Sequence, residues 1–62
     1  MKNIDRIKVE IKDLKEEIKE LQNEKQRIID NYGGISDDSR ESFEYDIFYR
    51  RAKIDALSWV LN

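Results

Sequence analysis

Residues 4–34, IDRIKVEIKDLKEEIKELQNEKQRIIDNYGG, contain the pattern from which the fold of this chain can be predicted. Apolar or aromatic side chains recur in this stretch at alternating steps of three and four residues, interrupted by Lys25. This spacing is a heptad seam of about four repeats. Its apolar members are Ile4, Ile7, Ile11, Leu14, Ile18, Leu21, Ile28 and Tyr32. Because no Pro or Gly interrupts the stretch before Gly33, it predicts a single helix over about residues 4–32.

A turn and a second helix are predicted to follow. Gly33 and Gly34 can supply the positive φ that a helix end and a chain reversal need, which puts the turn at residues 33–36. Ser36 and Asp38 are candidate caps for a helix over about residues 37–61. Residues 1–62 are then one domain, an all-α antiparallel hairpin of the coiled-coil type.

The predicted second helix carries two apolar stripes on almost opposite sides. One stripe consists of Phe43, Ile47, Ile54, Leu57 and Leu61 and is interrupted by Arg50. It packs onto the heptad seam if the two helices pair residues whose numbers add to about 68. The predicted hairpin core is Ile7, Ile11, Leu14, Ile18, Leu21, Ile28, Phe43, Ile47, Ile54, Leu57 and Leu61. The same register brings Arg50 close to Glu17, with the stems of Lys25 and Arg50 over the seam and their charged ends in water.

The other stripe is left facing outward. It consists of Tyr45, Phe48, Tyr49, Ala52, Ala56 and Trp59. An exposed aromatic patch is typical of an interface, so we expect these residues to mediate self-association or to bind a partner protein. The chain has 62 residues and neither Cys nor His, which leaves oligomerisation as its route to extra stability. We therefore predict a homodimeric four-helix bundle; the alternative is a parallel coiled coil between first helices.

Composition limits the classes of function. Charged residues make up 42% of the chain, and 12 basic against 14 acidic side chains give a net charge of -2. Such interleaved charge argues against nucleic acid as the main partner. A nucleic-acid-binding dimer remains an alternative because of a possible row of lysines, Lys8, Lys12, Lys15 and Lys19. The chain has no long apolar run and no signal peptide, so we expect a cytoplasmic protein without a membrane partner.

One motif suggests a catalytic alternative. Residues 42–46, Ser-Phe-Glu-Tyr-Asp, are similar to the Ser-Gln-Glu-Leu-Asp signature of the small sporulation-regulating aspartyl-phosphate phosphatases of bacilli, which are also helical hairpins. The resemblance covers three of the five motif positions and the hairpin plan, with Phe43 in place of glutamine and Tyr45 in place of leucine. It implies a phosphatase of response regulators that uses Glu44 and Asp46.

No other pattern points to chemistry. The acidic residues near the turn lack the ligand spacing of a calcium loop, and we predict no catalytic residue, metal or cofactor. The preferred interpretation is a small non-catalytic protein–protein interaction module, a regulator or inhibitor of the kind that phages and other mobile elements encode.

Overall fold

The fold is a hairpin of two packed helices. The computed structural model describes residues 2–61, so Met1 and Asn62 of the predicted domain lie outside the described residues. Helix α1 spans Lys2–Tyr32 and helix α2 spans Asp37–Leu61. The two helices pack against each other along an elongated body of 48 × 16 × 12 Å. The prediction of an all-α hairpin is confirmed.

Helix α1 is the long axis of the molecule. Its 31 residues correspond to about 46 Å at about 1.5 Å per residue, close to the longest dimension of 48 Å. It begins at Lys2, two residues before the start that the heptad pattern predicted. The reason is that a helical backbone extends wherever its hydrogen bonds are satisfied, whether or not the side chains there are apolar.

The turn uses one glycine in a left-handed conformation and one serine as a cap. Gly33 has φ = 71°, a region that side chains with a Cβ rarely occupy. The amide of Ser39 donates to Oγ of Ser36 at 3.2 Å, and the amide of Arg40 donates to the Ser36 carbonyl at 2.9 Å. Of the two candidate caps, Ser36 therefore fills the role, and Asp38 lies inside the first turn of α2, where a carboxylate suits the helix dipole.

The core between the helices is thin. Leu14 and Ile18 of α1 and Ile47 of α2 are the buried apolar residues of the described chain, with 7 to 8% of their surface exposed. The other predicted core residues are half-buried: Ile7, Ile11, Leu21, Ile28, Phe43, Ile54, Leu57 and Leu61. Within residues 2–61 each helix packs against one other helix, and that neighbour covers one side of each apolar side chain.

The heptad seam continues past the helix contact at both ends, where Ile4 and Tyr32 lie outside the predicted hairpin core. Tyr32 is 81% exposed, and Ile4 is 48% exposed. In the hairpin register Tyr32 lies beside the turn, and Ile4 lies beyond the end of α2 at Leu61. Neither residue has a facing helix, although both fall on the apolar period.

Two ion pairs join the helices in the predicted register. Nε of Arg50 lies 3.0 Å from Oε1 of Glu17, which confirms the predicted contact. Nζ of Lys25 lies 3.7 Å from Oε1 of Glu44. Both cationic side chains remain about a quarter exposed, so their stems cover the seam while their charged ends meet carboxylates at its edge.

Candidate functional site

The six residues of the predicted outward stripe are all exposed on α2. The stripe is centred on the side opposite the buried Ile47, and Phe48 lies at its edge, beside the groove between the helices. We call this set the aromatic face: Tyr45, Phe48, Tyr49, Ala52, Ala56 and Trp59. Its aromatic side chains are between 56 and 82% exposed. Val60, which is 64% exposed, extends the same apolar surface. Val60 was not among the predicted residues of the stripe, although its position four residues after Ala56 places it on the same side of α2.

The spacing within the aromatic face is itself a heptad pattern. Its central line runs through Tyr45, Tyr49, Ala52, Ala56 and Trp59, at alternating steps of four and three residues. Such a line can pack against another helix by knobs-into-holes contacts. The two alanines in its middle leave room for a large side chain on a partner helix.

Charged side chains flank this central line. On one edge lie Asp46 and Lys53, seven residues apart and therefore on the same side of α2. Nζ of Lys53 is 5.9 Å from the centre of the Tyr49 ring, within the range of a cation–π contact. On the other edge lies Asp55, seven residues after Phe48 and therefore on the same side of α2 as Phe48. The rim of the aromatic face thus carries charges of both signs at fixed positions.

A groove between the helices adjoins the aromatic face near the turn. It has a volume of about 450 Å³, and Ile29, Ile47 and Phe48 supply its apolar lining. Lys25 and Glu44, which form the second ion pair, are among its polar lining residues. Ile29 was not a predicted core residue because it lies one position off the heptad seam. Ile29 is half-buried because the contact surface of a packed helix is wider than a strict heptad seam.

The residues of the phosphatase-like motif lie on different sides of α2. Glu44 faces Lys25 across the groove. Asp46 is two positions further along, about 200° around the helix, and its carbonyl oxygen accepts a hydrogen bond from Arg50 Nη1 at 3.0 Å. Ser42 is exposed. The hairpin therefore does not bring the two carboxylates together. Within residues 2–61 there is also no group of three or more acidic side chains placed to hold a metal ion.

The outer surface of α1 carries a row of lysines and a row of carboxylates, with other charges such as Arg6 and Glu16 beside them. Four exposed lysines follow one flank, at Lys8, Lys12, Lys15 and Lys19. Five exposed carboxylates follow the other flank, at Glu10, Asp13, Glu17, Glu20 and Glu24. Both rows advance by steps of three and four residues, so each keeps to one side of the helix. Neither helix in the described part of the chain is long and apolar enough to cross a membrane.

No family model matches the chain, and no curated protein or solved structure has significant similarity to it.

Proposed function

We propose that this chain is a non-catalytic protein–protein interaction module that acts by occupying a surface of a target protein, as a regulator or inhibitor. Its working form in this proposal is a homodimer, two hairpins joined in a four-helix arrangement in the cytoplasm. The observation that carries the proposal is the aromatic face, a continuous apolar surface on α2 that α1 does not cover. A surface of this kind is a typical protein–protein interface.

The thin core supports the same proposal. Three buried apolar residues are a small core for a domain of this length, and small domains without disulfides or metals usually gain stability from association. Covering the aromatic face would bury four large aromatic side chains at once. Aromatic residues are enriched among those that dominate the energy of protein interfaces.

A dimer that buries the aromatic face leaves the charged outer surface of α1 for the target. Its lysine row and its carboxylate row offer charged contacts of both signs to a complementary protein surface. The origin in a phage or other mobile element belongs to this proposal as well. It rests only on general likeness to the small, charged regulators that such elements encode.

The test of the proposed interface is the molar mass in solution, measured by light scattering. We expect a wild-type dimer and a monomer for the double variant Tyr49→Glu/Trp59→Glu, because two carboxylates in an apolar interface would lose their hydration. The matched control is Val9→Glu/Asn23→Glu, which adds the same charge at exposed positions of α1 and should remain dimeric. A wild type that is monomeric at all concentrations would contradict the homodimer. A dimer unaffected by the aromatic double variant would contradict the aromatic face as its interface.

The lysine row supports a second candidate, a nucleic-acid-binding dimer. Lys8, Lys12, Lys15 and Lys19 are all exposed on one flank of α1, and Glu16 lies beside two of them. Binding through them would weaken steeply as salt rises, because each phosphate contact releases counterions. Retention of a labelled duplex at low salt, lost in Lys12→Gln/Lys15→Gln, would support this candidate. An absence of retention at low salt would eliminate it.

A further inference from the structure

We infer that the occupant of the aromatic face is a second copy of this chain whose α2 runs antiparallel to the first, in one defined register. In this register Tyr49 of each copy faces Ala52 of the other, and Tyr45 faces Ala56. The inference rests on the proposed function and deepens it, since it specifies the partner and the orientation of the interface. Two independent features of the aromatic face select this arrangement.

The first feature is the order of large and small side chains along the central line. From the N-terminal end it reads Tyr45, Tyr49, Ala52, Ala56, Trp59. In the antiparallel register each tyrosine meets an alanine, so large side chains fill the spaces that small ones leave. Trp59 meets the small Ser42. A parallel pair would instead place each residue opposite its own copy, which crowds the tyrosines and leaves a gap between the alanines.

The second feature is the charge on the rim. In the antiparallel register Asp46 of each copy lies beside Lys53 of the other, and the two-fold symmetry makes this contact twice. The neighbouring antiparallel registers are shifted by about seven residues. One of them brings Asp46 beside Asp46, and the other brings Lys53 beside Lys53. Among these registers only the proposed one pairs opposite charges, and like charges across an interface disfavour the alternatives.

The test uses charge reversal at these two positions. Lys53→Asp alone and Asp46→Lys alone each create two like-charge contacts in their own homodimers, so we expect each to dimerise about tenfold more weakly or worse. An equimolar mixture of the two variants forms a heterodimer in which both contacts again pair opposite charges. We expect the mixture to regain wild-type dimerisation, measured by sedimentation over a concentration series. Native mass spectrometry should identify the dimer as the mixed species.

Controls separate this register from a general effect of charge. Lys12→Asp and Glu20→Lys make the same charge changes at exposed positions of α1 and should leave dimerisation unchanged. A chain that carries both Asp46→Lys and Lys53→Asp should dimerise as the wild type does, which tests the register even if one single variant loses helix content in circular dichroism.

The outcomes are distinguishable. Suppose that Tyr49→Glu/Trp59→Glu dissociates the wild-type dimer, but that neither the mixture of single variants nor the exchanged chain dimerises as the wild type does. This result would overturn the register and leave the proposed function standing. A dimer that Asp46→Lys strengthens would indicate parallel helices, because in that orientation Asp46 lies near Glu41 of the other copy. A monomeric wild type would overturn both the register and the homodimer.

Discussion

Arg50 of α2 and Glu17 of α1 are joined by an ion pair of 3.0 Å between Nε and Oε1, and this contact links positions 33 residues apart in the chain. Nη1 of the same guanidinium donates to the carbonyl oxygen of Asp46 at 3.0 Å. Arg50 is therefore held by its own helix while it contacts the other helix. This double attachment helps to set the position of α2 along α1.

A double-mutant cycle with Arg50→Gln and Glu17→Gln measures the strength of this pair. We expect a coupling free energy of about 0.5 to 1 kcal/mol, since the pair lies at the rim of the core and water still reaches both side chains. The comparison is the more exposed pair of Arg40 with Asp37, for which about 0.3 kcal/mol is expected. Urea unfolding gives all the required values, and equal couplings for the two pairs would contradict a special role of Arg50.

Removal of a buried side chain should cost far more than removal of an exposed one. Leu14 is 7% exposed and Val9 is 57% exposed. We expect Leu14→Ala to lower the free energy of unfolding by about 2 to 3 kcal/mol, and Val9→Ala to change it by less than about 0.5 kcal/mol. Thermal unfolding followed by circular dichroism measures both. A similar cost for the two variants would mean that α1 packs with a different face toward α2.

The two glycines of the turn should respond differently to alanine. A Cβ on Gly33 or Gly34 would meet nothing within 4 Å, but only Gly33 has a positive φ, of 71°. We expect Gly33→Ala to destabilise the hairpin by about 1 kcal/mol through backbone strain. Gly34→Ala should be neutral or stabilise it by about 0.4 to 1 kcal/mol, because alanine restricts the unfolded chain. Urea unfolding of the two variants at the same protein concentration tests the order, and the reverse order would contradict the described turn.

Trp59 should report self-association by its fluorescence. It is the single Trp of the chain, and it is 82% exposed in the isolated hairpin. Burial against a second copy would move it to a less polar environment. We expect its emission maximum to shift to shorter wavelength as protein concentration rises through the range where light scattering detects dimers. Tyr49→Glu, which retains Trp59, should show no such shift. An unshifted wild-type spectrum in the dimer would place Trp59 outside the interface.

The hairpin and its register could be derived from the amino-acid order. The heptad seam, the two glycines of the turn and the opposite stripes of α2 all depend on residues a few positions apart, so they predict helices, a reversal and a contact such as Arg50 with Glu17. The same periodicity predicted that the aromatic face points away from α1. Apolar periodicity and turn residues can be recognised from neighbouring positions in the sequence, without knowledge of the packed structure.

Other features depend on where each helix ends in space, and they became visible only in the packed hairpin. Tyr32 and Ile4 fall on the apolar period, yet no helix faces them, and Ser36 rather than Asp38 caps α2 because that helix begins at Asp37. Ile29 lines a groove that exists only once Phe48 lies beside it. Periodicity shows which side of a helix is apolar. Burial also requires a second surface in contact with that side, so the extent of burial depends on how the two helices pack.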